Sequence, residues 1–367
     1  SFTYKASDGF AESLVASVDI TVAGDPLFEY QWHLDNTGQT NFAESAGTVN
    51  VDLNLENALK TSGLTGDGVI VAVVDDGLEI GHEDLADNVV VDGSYDFVGG
   101  DTDPTRAAGD GGHGTSVAGI IGATAWNSIG GRGVAPSASL KGFNFLEDQT
   151  FANYISAFGG EVFSQDVDIF NYSAAMAPLT RFSVLPTLQQ TVITETLPAM
   201  RGGKGAILVK SAGNDFGRKY EDCDYPQDLR FSCIDSVTDT HHIYQQVIAV
   251  AALAADGTKA SYSSAGATTW ISGFGGEFGA SEPAIMTTDQ SGCDRGYVRE
   301  GIVFANDFDD GANPPVENAG CNYTASFNGT SSAAPSVAGG IALMLEENAE
   351  LTFRDVKGIL AASAQSV

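Results

Sequence analysis

The order of apolar and polar positions divides most of this chain into alternating strands and helices. Short, nearly continuous apolar runs predict buried strands at residues 69–74, 138–143, 167–170, 206–210 and 247–252. Longer segments predict helices at residues 113–125, 186–200, 330–345 and 352–361. Strands that are apolar along their whole length are buried on both faces, so the pattern predicts an α/β fold in which helices cover both sides of a mostly parallel sheet.

Residues 1–24 show a different pattern. Phe2 and Tyr4, and later residues 14–22, alternate apolar with polar positions on either side of the turn signal Asp8-Gly9, which predicts a β-hairpin. The hairpin resembles the end of an immunoglobulin- or cadherin-like repeat of bacterial surface proteins. The alternative is an extension of the main domain. We therefore divide the chain into a hairpin at residues 1–24 and a main domain at residues 25–367.

Charge narrows the classes of partner. The chain has 48 acidic and 17 basic residues, a net charge of −31. Binding to nucleic acid or to an anionic membrane surface is disfavoured because both need a positive protein surface. Cationic peptides and divalent cations would be attracted, although an acidic surface also simply keeps a secreted protein soluble. No apolar stretch approaches the roughly 20 residues of a membrane span, so membrane insertion is not expected.

The cysteines favour an oxidising compartment. There are four, at positions 223, 233, 293 and 321, and none has the CxxC spacing of a zinc site. Proximity along the chain favours the pairs Cys223–Cys233 and Cys293–Cys321, but four cysteines allow three pairings, and four unpaired thiols are the alternative. If they are bridged, the protein folds outside the reducing cytoplasm.

Three short sequence motifs, around Asp75, His113 and Ser331, supply an acid, a base and a nucleophile. Asp75 ends an apolar strand, and His113 and Ser331 each begin an apolar helix. The carboxyl ends of parallel strands and the helices that follow them meet at one edge of a sheet. There His113 would take the proton of the Ser331 hydroxyl, and Asp75 would orient the imidazole, which is the chemistry of a covalent serine intermediate. Taken singly, Asp75 is better explained as a turn residue, His113 as a core or surface histidine, and Ser331 as a helix cap; the three together favour the catalytic interpretation.

An oxyanion hole is also predicted. The Ser331 N–H at a helix start and the side-chain amide of Asn214, which follows the strand at 206–210, are two suitable donors. Gly329 lets the chain turn before the serine, and Gly114 permits close packing after the histidine. Pro335 is expected in the first turn of its helix, where its missing N–H costs little.

These motifs, in the order Asp75, His113, Asn214 and Ser331, resemble the subtilisin-like serine proteases, or subtilases. Gln31-Trp32-His33-Leu34 and the doubled Asp75-Asp76 are similar to the kexin/furin-like branch, here in a bacterial type of chain. The resemblance implies a subtilisin-like three-layer fold and a secreted, calcium-dependent serine endopeptidase that acts through an acyl-enzyme on Ser331. The alternative is a surface adhesion or binding module built on a protease-like scaffold.

Calcium is the cofactor that the resemblance implies. A loop that follows the His113 helix resembles a calcium loop of many subtilases, with ligands at Asp25, Asp84, Thr124, Asn127, Ile129 and Gly131. A second acidic loop resembles a calcium loop of the kexin/furin branch, with Asp96, Asp101 and Asp103 as ligands. From the residues alone, that loop is equally well explained as a solvated acidic turn.

The partners expected are protein or peptide substrates. An extended peptide should add as a strand along Ser173, Ala174 and Ala175 through main-chain hydrogen bonds. Kexin-like enzymes usually carry Ser-Trp-Gly-Pro followed by acidic residues there, and this chain does not. Acidic residues that remain nearby in sequence, Asp239 among them, favour a moderate preference for Lys or Arg at P1. We expect a monomer, with a propeptide or a chaperone assisting maturation.

Overall fold

The computed structural model of the chain describes residues 2–5, 7, 9–18, 24–55, 61–107, 111–174, 184–216, 235–303 and 305–365. Four sets of residues given a role by the sequence lie outside these ranges: Asp8 of the predicted turn, residues 19–22 of the predicted hairpin, Ala175 of the substrate segment, and the cysteines 223 and 233. Within the described ranges, no helix combines the length and the apolar character needed to cross a bilayer.

A parallel sheet forms the centre of the molecule. The strands are β1 (Phe2–Tyr4), β2 (Ala16–Val18), β3 (Ile70–Val74), β4 (Ser139–Phe143), β5 (Ile169–Tyr172), β6 (Ile207–Ser211), β7 (Val247–Leu253), β8 (Ile271–Phe274), β9 (Ile285–Thr288) and β10 (Tyr323–Phe327). Six of the described strands pair in the order β4-β3-β5-β6-β7-β8, all parallel. The pairs β1–β2 and β9–β10 are antiparallel and stand apart from this sheet.

Helices cover both faces of the sheet. The α-helices of the described ranges are α1 (His113–Gly122), α2 (Phe151–Ile155), α3 (Thr187–Thr191), α4 (Leu197–Ala199), α5 (Thr330–Glu347) and α6 (Phe353–Ser363). The π-helical segments Ser156–Gly160 and Val192–Thr196 continue α2 and join α3 to α4. Short 3₁₀ turns lie at Phe28–Tyr30, Ala86–Asn88, Phe145–Glu147, Arg201–Gly203, Ser236–Thr238, Asp307–Asp309 and Val316–Asn318.

Two cores confirm the predicted three layers. Alternate side chains of the sheet, such as Val71 and Val209, pack with helices α1, α5 and α6 on one face. The others, such as Phe170 and Leu208, pack with the helical segments at residues 151–160 and 187–199 on the opposite face. Strands β3 and β7 are therefore covered on both faces, which is why their sequences are apolar throughout.

The sequence located most elements within two residues, and its errors have local causes. Strand β5 was predicted to end at Phe170 but continues through Asn171, whose buried amide is bonded to Ser173 Oγ at 2.9 Å. Strand β5 also begins later than predicted, because the Asp168 side chain, at the amino-terminal end of the strand, accepts a hydrogen bond from Ile70 N at 3.0 Å. Strands β8, β9 and β10 were not predicted, since they are short and contain glycine, serine or threonine.

The predicted N-terminal hairpin is confirmed as the antiparallel pair β1–β2, in which Thr3 is opposite Ser17. Residues 19–23, where the second strand was expected to continue, lie outside the described part of the chain. The division of the chain after residue 24 stays a prediction.

Candidate active site

Asp75 and His113 form a buried acid–base pair. Asp75 follows β3 and is fully buried, and its Oδ1 accepts a hydrogen bond from Nδ1 of His113, the first residue of α1, at 2.8 Å. Burial lowers the pKa of His113, but the Asp75 charge and hydrogen bond outweigh burial and raise the pKa above its ordinary value. Burial raises the pKa of Asp75, and His113 partly offsets this rise. The carboxylate therefore fixes which imidazole nitrogen carries the proton and leaves Nε2 as the base.

A glycine makes this pair possible. A Cβ on Gly114 would lie 1.9 Å from the Gly77 carbonyl oxygen and 2.9 Å from Asp75 Cβ. Helix α1 can begin this close to the end of β3 only because residue 114 has no side chain. The close packing predicted after the histidine is thus what brings the imidazole within reach of Asp75.

Ser331 lies in the first turn of α5, which packs against α1. Gly329 precedes the helix with a φ of 100°, a conformation that glycine adopts without strain. Ser331 Oγ donates to the Ser173 carbonyl oxygen at 3.2 Å rather than to the imidazole. Among the described residues Ser331 Oγ makes no hydrogen bond to His113, and the convergence of these two groups stays a prediction. Catalytic hydrogen bonds are often long or misaligned before substrate binds.

Pro335 corrects one expectation. It is the sixth residue of α5, not a first-turn residue, because the helix begins at Thr330 immediately after Gly329. In this position the proline removes the N–H that would bond the Ser331 carbonyl. Ser173 Oγ takes that place and donates to the Ser331 carbonyl at 3.0 Å.

Asn214 is held next to the start of α5. Its Oδ1 accepts hydrogen bonds from Thr330 N and from Thr330 Oγ1, both at 2.9 Å. The side-chain oxygen is therefore engaged, and the amide nitrogen Nδ2 is presented beside Gly329, where a Cβ would lie 2.9 Å from it. Sequence analysis missed Thr330, although its place directly before Ser331 is the signal that marks it.

Ser173 and Ala174 follow β5, and a buried lysine supports them. Lys210 is fully buried, donates to the Ala174 carbonyl oxygen and forms an ion pair with Asp239 Oδ2 at 2.9 Å. Burial opposes ionisation of Asp239, but Lys210 and His241 outweigh it and hold the pKa of Asp239 well below its ordinary value. The Asp239 charge is thus compensated inside the protein, which sequence analysis did not foresee. A lysine inside the apolar run Ile207–Ser211 was the available signal.

Two buried carboxylates meet at the first predicted calcium loop. Asp84 accepts hydrogen bonds from Asn127 Nδ2 at 2.8 Å and from Gly131 N at 3.2 Å, while Asp25 accepts from Asn127 N at 3.2 Å. Arg132 pairs with Asp25 at 2.9 Å. Burial raises the pKa of Asp84 to about 8. Within the described ranges, Arg132 is the side-chain cation paired with these two carboxylates, so a metal ion would balance the second negative charge.

The main chain of the same loop fits calcium as well. Among the described residues, the carbonyls of Thr124, Ile129 and Gly131 accept no hydrogen bond, whereas the Gly130 carbonyl between them accepts from Leu27 N at 2.7 Å. Oxygen ligands of this kind are the ones that calcium prefers. The residues present therefore fit the ion, and the Leu27 and Asp25 contacts tie the N-terminal arm to this loop.

The second acidic loop is arranged differently. Asp96 Oδ1 accepts from Val98 N at 2.7 Å, Asp101 Oδ1 from Asp103 N at 2.9 Å, and Asp103 Oδ1 from Thr105 N at 3.1 Å. Within the described ranges, no three acidic, histidine or cysteine side chains are grouped as a metal site. Each carboxylate thus closes its own turn, and calcium binding at this loop stays a prediction.

One predicted disulfide is confirmed. Cys293 and Cys321 are bonded, with Cα atoms 5.0 Å apart, and the bridge joins the loop after β9 to the residue preceding β10 by two. The other predicted pair lies outside the described residues.

Comparison with known proteins defines the class. A sequence model of the subtilase family (Peptidase_S8) matches residues 66–367, and the chain belongs to this family. It is 40% identical over 357 residues to the Aeromonas extracellular serine protease of Aeromonas sobria, covering 94% of this chain and 55% of the relative. It is 32% identical over 350 residues to neuroendocrine convertase 2 of Mus musculus, covering 94% and 47%. The chain spans about half the length of these curated relatives.

Solved structures agree with this assignment. A crystal structure of the Aeromonas sobria serine protease in complex with the chaperone ORF2 matches with a TM-score of 0.86 and 38% identity, over 94% of this chain and 58% of that one. A cold-adapted subtilisin-like serine proteinase matches with a TM-score of 0.55 at 21% identity, over 90% of each chain, which shows the shared fold. The predicted resemblance to subtilases of the kexin/furin-like branch is confirmed.

Proposed function

We propose that the protein is a serine endopeptidase that cleaves peptide bonds through an acyl-enzyme on Ser331. The observation that carries the proposal is the 2.8 Å bond between Asp75 and His113 at the start of α1, a helix that packs against α5, the helix that holds Ser331. Similarity to proteases along 94% of the chain supports it.

The geometry supports a defined sequence of proton transfers. An extended peptide that binds along Ser173 offers a main-chain N–H to the Ser173 carbonyl and releases Ser331 Oγ from it. The hydroxyl proton then passes to His113 Nε2 while Oγ attacks the substrate carbonyl. The imidazolium, stabilised by Asp75, gives this proton to the leaving amine, and the same base activates the water that hydrolyses the ester.

Two donors would stabilise the oxyanion. The Ser331 N–H belongs to the first turn of α5, where main-chain donors have no carbonyl partner inside the helix. The second is Asn214 Nδ2, oriented because Thr330 occupies the side-chain oxygen. Both are held in place before the reaction, so stabilising the charge costs no rearrangement.

A serine-directed fluorophosphonate tests the nucleophile. The parent protein should be labelled and should hydrolyse a peptide substrate, and Ser331→Ala should do neither. Ser332→Ala is the matched control, because the Ser332 hydroxyl donates to the Gly275 and Gly329 carbonyls at 3.1 and 2.9 Å and takes no part in the proposed chemistry. Labelling that persists in Ser331→Ala would show that Ser331 is not the labelled nucleophile. An unlabelled, inert parent would refute the enzyme and favour a binding module on a protease-like scaffold.

We further propose a moderate preference for Lys or Arg at P1. Asp239 is already paired with Lys210, so the preference would arise from the field of the whole acidic surface, with its net charge of −31. In that case the ratio of kcat/KM for P1-Arg over P1-Leu peptides should fall toward one as salt rises from about 10 to 500 mM. Higher kcat/KM for P1-Leu or P1-Phe at low salt would contradict the preference.

The remaining proposals concern the location, oligomeric state, calcium dependence and maturation of the protein. We propose that it is secreted, monomeric, dependent on calcium and assisted in maturation by a propeptide or a chaperone. The extracellular Aeromonas sobria relative, the structure of such a protease with the chaperone ORF2, and the disulfide support this. Recovery of active protein with and without a co-expressed folding partner, followed by size determination in solution, tests it.

A further inference from the structure

Asp76, which directly follows Asp75, lies on the first turn of helix α1. Its Oδ1 accepts a hydrogen bond from Gly114 N at 2.8 Å, and its Oδ2 accepts from His113 N at 3.2 Å. The first N–H groups of a helix have no carbonyl partner within the helix, so this carboxylate caps two of them. It thereby holds the main chain of the residue whose side chain is bonded to Asp75.

Arg106 neutralises Asp76. Its Nη1 lies 2.5 Å from Asp76 Oδ2, with 31% of the arginine side chain and 9% of the aspartate side chain exposed. The arginine is fixed from its other side as well, since Gln290 Nε2 donates to the Arg106 carbonyl at 2.5 Å. A second carboxylate, Glu147, is more distant, with its Oε1 3.5 Å from Nη2.

Two glycines allow this arrangement. A Cβ on Gly77 would lie 2.4 Å from the Pro104 carbonyl oxygen, and a Cβ on Gly111 would lie 3.2 Å from Arg106 Nη1. The loop that carries Arg106 can therefore lie directly against the end of β3 and the start of α1. Three separate segments of the chain meet at this ion pair.

We infer that Asp76 and Arg106 act together as positioning residues for His113: the carboxylate anchors the imidazole-bearing turn, and the guanidinium cancels the charge that this anchor brings. The inference rests on the proposed function. Among the described residues, the charged groups that act most strongly on the pKa of the imidazole are Asp75, Asp76 and Arg106. The Phe327 ring packs against the imidazole with the ring centroids 5.3 Å apart, and Tyr297 packs against Phe327 with a centroid distance of 5.8 Å. Asp289 lies beyond Gly112, and Val298 N and Gln290 N donate to its carboxylate.

Without the guanidinium, two carboxylates would act on one imidazole and favour its protonated form, which cannot serve as a base. Arg106→Gln should therefore move the acid limb of the kcat/KM profile to higher pH by roughly 0.5–1 pH unit. Asp76→Asn, which keeps an oxygen acceptor for Gly114 N, should move it to lower pH. The double variant, with both charges removed, should return close to the parent.

Arg201→Gln is the matched control. Arg201 also forms an arginine–aspartate pair, with Asp168 at 3.1 Å. This pair lies at the opposite, amino-terminal end of the parallel strands, directly before the first residue of β5. Its removal should lower thermal stability and leave the acid limb where it is. If Arg106→Gln and Asp76→Asn behave like this control, the pair is only structural and the inference is wrong.

The imidazole can also be titrated by NMR in a Ser331→Ala background, with His113→Gln used to assign its signals. Arg106→Gln should raise the titration midpoint and Asp76→Asn should lower it, in the directions expected from kinetics. This readout does not need hydrolysis. An inert, unlabelled parent would refute the proposed function, whereas unchanged midpoints would refute the role of Asp76 and Arg106.

Discussion

Ser331 and Ser173 exchange two hydrogen bonds: Ser331 Oγ donates to the Ser173 carbonyl at 3.2 Å, and Ser173 Oγ donates to the Ser331 carbonyl at 3.0 Å. The second bond is possible because Pro335 has no N–H to offer the Ser331 carbonyl. Asn171 Nδ2 donates to Ser173 Oγ at 2.9 Å and holds it in place. A proline inside the helix thus couples the proposed nucleophile to the proposed substrate segment.

Ser173→Ala should therefore impair both stability and turnover. It leaves the buried Ser331 carbonyl and the buried Asn171 amide without a partner, at a cost of about 1–3 kcal/mol in the free energy of unfolding. Because the start of α5 is then less firmly placed, kcat should fall on the order of tenfold, while KM changes less. Denaturant unfolding and steady-state kinetics on one peptide measure the two effects.

Ser336→Ala is the control for that variant. Ser336 lies in the same helix, is buried, and donates to the Ala333 carbonyl at 2.7 Å rather than to the segment at Ser173. It should lower stability slightly and leave kcat unchanged. A Ser173→Ala enzyme with the parent's kcat would show that the reciprocal bonds only stabilise the fold.

Asn214→Ala should reduce kcat with little change in KM, because the oxyanion develops only in the transition state. The relevant scale is about 10²–10³-fold, the loss measured when a subtilisin lost such a donor. Asn214→Asp keeps an oxygen acceptor for Thr330 but removes the Nδ2 donor, so it should be no more active than the alanine variant. Near-parental activity of Asn214→Asp would exclude the side-chain amide as an oxyanion donor.

Removal of calcium should lower the melting temperature by several degrees. An ion present at about 100 times its dissociation constant adds roughly 2.7 kcal/mol to the stability of the native state. Asp84→Asn should abolish the difference in Tm between calcium and chelator, because Asp84 is the fully buried carboxylate of the first loop. Scanning calorimetry of both proteins in both conditions tests this.

Asp87→Asn is the matched control, since Asp87 lies three residues further along and is exposed. It should keep the full calcium effect. If Asp84→Asn also keeps it, the ion lies elsewhere, and Asp96→Asn combined with Asp101→Asn would test the second acidic loop.

His33 should make the protein sensitive to acid. Its side chain is fully buried, and burial lowers its pKa to about 3. An unfolded histidine titrates near 6.5. Between these values the unfolded chain binds the additional proton, so stability present above about pH 6.5 is lost as the pH falls toward 3. The full effect corresponds to roughly 5 kcal/mol of unfolding free energy, at about 1.4 kcal/mol per pH unit.

His33→Phe should flatten this loss when urea unfolding is compared at pH 7, 5.5 and 4. His113→Asn should not, because the pKa of His113 is raised and its protonation favours the native state. An equally steep acid loss in His33→Phe would assign the effect to other groups.

Much of the fold could be predicted from the local pattern of apolar and polar residues in the sequence. A strand buried on both faces is apolar along its length, so β3 and β7 could be predicted from the sequence. The capping box of α6, in which Thr352 and Asp355 bond each other's main chain, was visible for the same local reason. Interactions between distant segments, such as Lys210 with Asp239 or Arg106 with Asp76, leave no local pattern.

The sequence by itself determined which residue types stand at the strand ends and helix starts, and hence the acid, the base and the nucleophile that the family requires. Tertiary structure alone decided how these residues are held: Gly114 against the end of β3, Thr330 on the oxygen of Asn214, Ser173 on the carbonyl that Pro335 leaves open. The physical reason is the range along the chain over which each kind of interaction acts. Propensity and burial act on neighbours along the chain, whereas hydrogen bonds and charge compensation depend on distances of about 3 Å between segments that only folding brings together.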